Sequence, residues 1–115
     1  MNSDEFKKRT KAFALRVIRL VGALPKSREA GVIGGQLLRC GTSVGANYRA
    51  ACRARSAAEF IAKMGVVEEE ADESAYWMEL LLEAGIMKEI HISGLLTEAN
   101  EILSMVVASI KTARR

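Results

Sequence analysis

The residues able to do chemistry in this chain are few, and their spacing argues against catalysis. His91 is the one histidine, whereas a di-metal carboxylate site in a helical bundle needs two Glu-x-x-His motifs. That chemistry is excluded by count. Nucleophilic catalysis would need Cys40 or Cys52 beside a base, and His91 falls in a predicted connector. The two thiols are twelve residues apart on one predicted helix, roughly 18 Å at a rise of about 1.5 Å per residue. This is beyond disulfide reach, so both are expected to stay reduced and to pack as small hydrophobes. Glu68, Glu69, Glu70, Asp72 and Glu73 crowd one stretch, but consecutive helical acids splay around the axis instead of converging on a hard cation. Gly31, Gly34, Gly35, Gly41 and Gly45 follow no strand pattern, so they do not form a phosphate-cradling loop. No catalytic residue, metal site or cofactor is expected.

What remains is charge. The net charge of +3 hides an asymmetry: residues 1 to 58 hold twelve Lys and Arg against three acids, and residues 59 to 115 hold five against eleven. Helix pairs attracting each other inside a bundle, head-to-tail subunits, or a basic surface for nucleic acid would each account for this. Lys7, Lys8, Arg9 and Lys11 cluster where a first helix begins, and cations there oppose the helix dipole. An acidic neighbouring helix or a phosphate backbone would answer the cluster, while a plainly solvated face is the commoner case. If the basic surface binds nucleic acid, the phosphate contacts are Arg49, Arg53, Arg55, Lys7, Lys8 and Lys11. Aromatic residues are scarce and fall on apolar faces, so such contacts would read phosphates and shape more than bases.

The elements that position these groups follow from hydrophobic periodicity. Half of the 115 residues are apolar, enough for one domain over 1–115 with a core of its own. A first helix is expected from about Asp4 to Ala23, capped by Ser3, with Phe6, Phe13, Val17, Leu20 and Leu24 as its stripe. Pro25 stops it, and Ser27 caps a second helix from about Arg28 to Ala54. On that helix Ile33, Leu37, Cys40, Val44, Asn47 and Ala51 share a face. Asn47 is either a register-fixing polar residue or one rotated to the edge and wetted. Gly34, Leu38, Gly41, Gly45 and Tyr48 share a second face, whose small residues offer a groove to a bundle neighbour or a second subunit. Alternatively the helix begins near Gly35, with Gly31 and Gly34 in its leading loop.

Ser56 and Glu59 spell a capping box, so a third helix starts at Ala57. Its stripe is Phe60, Met64, Val67, Ala71, Ser74, Met78 and Leu81, with Gly85 as the C-cap. Ile86 to Ile92 reads as a connector. Ser93 or Thr97 then caps a fourth helix with the stripe Leu96, Ala99, Leu103, Val106 and Ile110. The architecture is therefore all-α, an antiparallel up-down-up-down four-helix bundle. Pairing helices two and three about a turn near Arg55 places Arg39 opposite Glu70 and Glu73, which predicts a partly buried ion pair. The charged start and the short apolar run Ile102 to Ile110 point to a cytoplasmic protein with no membrane span.

The stretches LLRCGTSVGANYRAACRARSAAEFIAKMG and EEADESAYWMELLLEAG, with ASIKTARR at the end, resemble the four-helix bundle proteins encoded in intervening sequences of bacterial 23S ribosomal RNA genes. The resemblance implies a homopentamer of bundles without known catalysis. A related branch serves as the accessory subunit of diversity-generating retroelements, contacting reverse transcriptase and RNA. Arg39, Ser43, Asn47, Tyr48, Arg49, Glu70, Glu73 and Trp77 occupy the pattern's characteristic positions, and Ala50 stands where an acid is expected. Two functions are therefore carried forward. One is an oligomeric RNA- or nucleic-acid-binding protein with a basic surface; the other is an adaptor that docks a protein partner such as a reverse transcriptase.

Overall fold

Four helices make up the computed structural model, which describes residues 2–115: α1 (Ser3–Gly22), α2 (Arg28–Ala51), α3 (Ala57–Glu83) and α4 (Glu89–Ala113). Contacts run round a square, α1 to α2, α2 to α3, α3 to α4, with α4 closing more thinly on α1. Residue numbers fall along α2 as they rise along α1, from Leu24 beside Gly34 to Thr10 beside Gly45, so these two helices run antiparallel. No helix among the described residues is long and apolar enough to cross a membrane.

Local chemistry explains most of the boundaries. α1 starts one residue earlier than expected: Asn2, not Ser3, is the N-cap, its side chain accepting from the Glu5 N–H at 2.8 Å. Ser27 caps α2 by accepting from Ala30 N–H, and Ser56 caps α3 by accepting from Glu59 N–H. The Glu59 carboxylate reaches back to the Arg55 N–H at 3.3 Å, one residue beyond the usual box partner, the Ser56 N–H. At the far end of α3, Gly85 takes φ 72°. Its N–H bonds Leu82 O and that of Ile86 bonds Leu81 O, the Schellman pair that a left-handed glycine permits.

Two further helix boundaries differ from expectation, for different reasons. α2 ends at Ala51 instead of Ala54, since residues 53 and 54 tighten into i→i−3 bonds on Ala50 and Ala51. α4 begins at Glu89, ahead of Ser93 and Thr97, with no side-chain cap at all. Ile92 and Leu95 are buried and hold its first turns on the core. His91 is therefore helical, and the buried stripe is Ile92, Leu95, Ala99, Ile102, Val106 and Ile110, with Leu96 and Leu103 only half-buried.

The small-residue face of α2 is occupied from within the chain. A Cβ on Gly41 would lie 2.8 Å from Val17 Cγ1, one on Gly34 2.8 Å from Leu24 Cδ1, and one on Gly45 3.1 Å from Thr10 Oγ1. α1 thus fills the groove, so of the two expected occupants it is the bundle neighbour and not a second subunit that uses it, and the helix runs through Gly31 and Gly34 without a leading loop.

The glycines consequently divide. Gly41→Ala gains up to about 1 kcal/mol of helix propensity but drives a methyl into Val17, and overpacking of this kind costs about 1–3 kcal/mol. A net loss is expected. Gly35→Ala and Gly65→Ala meet nothing within 4 Å and are expected to stabilise by up to about 1 kcal/mol each. Urea denaturation of the three variants checks this; a neutral Gly41→Ala would show that α1 does not seat on α2 as described.

Candidate nucleic-acid interface

The basic start of α1 splits into a paired and an unpaired part. Arg9 faces α4, where its Nε and Nη2 donate to the two carboxylate oxygens of Glu98, both at 2.8 Å. Nη2 also reaches Glu101 at 2.9 Å, and Nη1 lies 3.1 Å from Met105 Sδ. This bidentate, charge-assisted geometry is the strong form of an ion pair. Both side chains are largely covered, Arg9 26% and Glu98 18% exposed. The guanidinium holds the Glu98 carboxyl below its ordinary range, chiefly through the hydrogen bond and against the opposing effect of burial. An acidic neighbouring helix thus answers Arg9.

It does not answer the lysines. Lys7, Lys8 and Lys11 look toward α2 and, with Arg49, line an open groove of about 420 Å³ between α1 and α2. The floor is made of Thr10, Ala14, Thr42, Gly45 and Ala46. Thr10 is fully buried, its hydroxyl donating to Phe6 O at 3.0 Å, and its contact with Gly45 sets how closely the two helices approach. Among the described residues, none of these four cations has a carboxylate within 4.0 Å. Arg49 sits in the last turn of α2, where a cation suits the helix dipole. Arg53 and Arg55 do not join the groove; they lie exposed in the turn after α2, beyond Arg49. The lining residues Ala14, Thr42 and Ala46 escaped sequence reasoning. The signal for them was the run of small residues around Gly45.

On the opposite side of α2, Arg39 donates from Nη1 to Glu70 at 3.2 Å and from Nη2 to Glu73, while its Nε donates to Gln36. Trp77 Nε1 donates to the same Glu73 oxygen at 3.0 Å. Arg39 is about half exposed at 49%, so the pair is less buried than expected. Asn47 is half-buried at the edge of its stripe and donates to Ser43 O one turn back, with no partner on another helix among the described residues. It does not fix register. Cys40 is buried against Ser74 Oγ at 3.3 Å, and burial pushes its thiol pKa up. Cys52 is a free thiol like Cys40 and stands beside Tyr48, whose hydroxyl is pushed up to about 12, mainly by burial.

Comparison with known proteins converges on one group. The family model described as 23S rRNA-intervening sequence protein matches residues 3–108. The chain is also similar to a crystal structure of a protein of unknown function from the S23 ribosomal protein family of Bacteroides thetaiotaomicron. The two are 33% identical, with 96% of this chain and 99% of that one covered at a TM-score of 0.88. No curated protein matches.

The two arginine networks should differ in what they contribute. Arg9→Ala leaves a mostly covered Glu98 unpaired and is expected to cost about 2 kcal/mol, against about 0–1 kcal/mol for the half-exposed Arg39→Ala. Because Glu98's folded pKa is depressed, its stabilisation is full above the unfolded carboxyl value of about 4.3 and is lost as pH falls through the folded value. Urea denaturation at neutral and acid pH should therefore show a shallower acid loss for Glu98→Gln than for the parent. Equal costs for the two arginines, or an unchanged acid slope, would contradict the assignment.

Proposed function

The chain belongs to the 23S rRNA-intervening sequence protein family, and from that premise we propose that it is a non-enzymatic, oligomeric bundle protein that holds RNA by its phosphates. One observation carries this reading. Lys7, Lys8, Lys11 and Arg49 come from two helices, line one groove and, among the described residues, have no carboxylate within 4.0 Å. Four uncompensated cations over a floor of small residues form a cationic trough that a sugar-phosphate strand can enter closely. Base stacking contributes little there, because Phe6 and Tyr48 at that end are buried edge to face on each other, their centroids 4.7 Å apart. Arg53 and Arg55 extend the same cationic surface around the end of the bundle.

A second reading, an adaptor for a protein partner of the reverse transcriptase kind, is favoured by Tyr76, half exposed beside Trp77 on α3 at a centroid distance of 5.1 Å. An aromatic pair on an outer face suits a protein contact better than a phosphate.

Salt dependence separates the two. Replacing Lys7, Lys8, Lys11 and Arg49 with Gln should weaken RNA binding at fixed salt and reduce the slope of log K against log salt by about 3, with helicity unchanged. Arg53→Gln with Arg55→Gln should have a smaller effect. Undiminished RNA affinity in the fourfold variant overturns the reading, and tight binding of a protein partner without RNA favours the second.

For assembly, the resemblance favours a pentamer. The charge attraction between the chain's halves is partly used inside the bundle by Arg9 and Arg39, which leaves apolar side chains as the main contact. Val32, Leu38, Val66 and Tyr76 lie exposed on α2 and α3, Val32 at 62%. An oligomer built on them should persist at high salt, since screening weakens charge pairs and not apolar burial. Light scattering across a salt series tests this, and a monomer at micromolar concentration in every salt rejects it.

A further inference from the structure

We propose that the cleft between the second half of α1 and the start of α4 is a separate binding site for a small amphiphilic anion, a carboxylate or phosphate head on an aliphatic or aryl body. Below the cleft the α1/α4 seam is clamped by Arg9 with Glu98 and Glu101. Above the clamp the helices leave an open space of about 540 Å³, within the range of small-molecule sites, which in bundles lie between helices. Its lining combines two chemistries. Arg16, Arg19 and His91 bring polar groups, and Leu20, Leu95, Met87 and Ile90 bring apolar ones.

Three features point to a ligand and not to an idle gap. Among the described residues, Arg16 and Arg19 have no carboxylate within 4.0 Å, although they stand one turn apart, where like charges repel. Gly94 lies inside α4, and a Cβ there would meet only the end of the Arg16 side chain, at 3.4 Å. Unlike Gly41, it serves no close helix contact, yet it costs up to about 1 kcal/mol against Ala and widens the cleft. Ile90 is 82% exposed at the rim, the most exposed of the large apolar side chains among the described residues, and Met87 beside it is an adaptable, polarizable neighbour. An anion satisfies the two guanidiniums, and an apolar body covers Ile90 and the floor; neither half alone does both.

This site is distinct from the α1/α2 groove and does not depend on its role. The test is calorimetric titration of the full chain with decanoate and decyl phosphate below their micelle concentrations, with decanol and inorganic phosphate as controls. At least one amphiphile should bind saturably at one per chain, and the tighter of the two heads identifies the source. Decanol and phosphate should each bind at least about tenfold more weakly, as should either amphiphile to the Arg16→Gln, Arg19→Gln double variant. Both arginines are exposed, so the variant should keep its helicity, and its RNA affinity should be unchanged. No saturable binding at millimolar concentration, equal binding of decanol or of phosphate, or undiminished binding by the double variant overturns the proposal. A loss of RNA affinity in that variant overturns it too, by assigning the arginines to the nucleic-acid surface.

Discussion

Everything at the basic end of this bundle depends on how closely α1 can approach α2. Three glycines on one face of α2 accept Leu24, Val17 and Thr10 at distances that leave no room for a Cβ without displacement. Helices that meet through side chains normally stand 8–10 Å apart, and glycine reduces that separation. The consequence reaches the surface. Where the backbones come together at Gly45 and Thr10, the outer edge of the seam is a shallow trough of small residues. The flanking Lys7, Lys11 and Arg49 then line one groove. A bulkier α2 would separate the same cations without changing their number.

Electrostatics sorts the basic residues by a second criterion, whether an acid lies opposite. The chain carries its positive charge early and its negative charge late, and a bundle folds one onto the other. Arg39 meets Glu70 and Glu73 across α2 and α3, and Arg9 meets Glu98 and Glu101 across α1 and α4. Those arginines are structural: their planar forks are held by paired carboxylates, so little positive potential remains for a ligand. The lysines of α1 face a different neighbour, one whose nearby surface is Thr42, Ala46 and Arg49. Adjacent positions in one cluster thereby acquire opposite roles, Arg9 as a clamp and Lys8 as a free cation.

That division was only partly legible in the sequence. Helix number, the Ser27 and Ser56 caps and the Gly85 stop were readable because each is a local arrangement with one geometric solution. The pairing of Arg39 with Glu70 and Glu73 was readable because a short turn sets the register of a hairpin by arithmetic. The start of α4 was not, since burial of Ile92 and Leu95 outweighs the capping preference of Ser93 or Thr97. The pairing of Arg9 was also hidden: α1 and α4 are the ends of the chain, and no turn fixes their register. Asn47 misled for a related reason. Its position in the stripe is real, but a short polar side chain at a helix edge can satisfy itself on the preceding turn, as it does on Ser43 O.

The same geometry sets where the bundle is most open. α1 is seated on α2 along its length, but toward α4 its polar connection is the single clamp at Arg9, and above that clamp the seam opens into the cleft beside Ile90. Leu20, Ile92 and Leu95 stay buried beneath that opening and keep the upper halves of α1 and α4 on the core. The α1/α2 trough lies on the other flank of α1, held by the glycine contacts. A closely packed basic seam and a more open one therefore share one helix. They are also separated along that helix, since the lysines precede Ala12 and the cleft arginines follow it. Whatever occupies the cleft acts on the trough only by moving α1 against Gly41 and Gly45, and close packing there resists such movement. The two surfaces are thus adjacent in sequence but mechanically insulated.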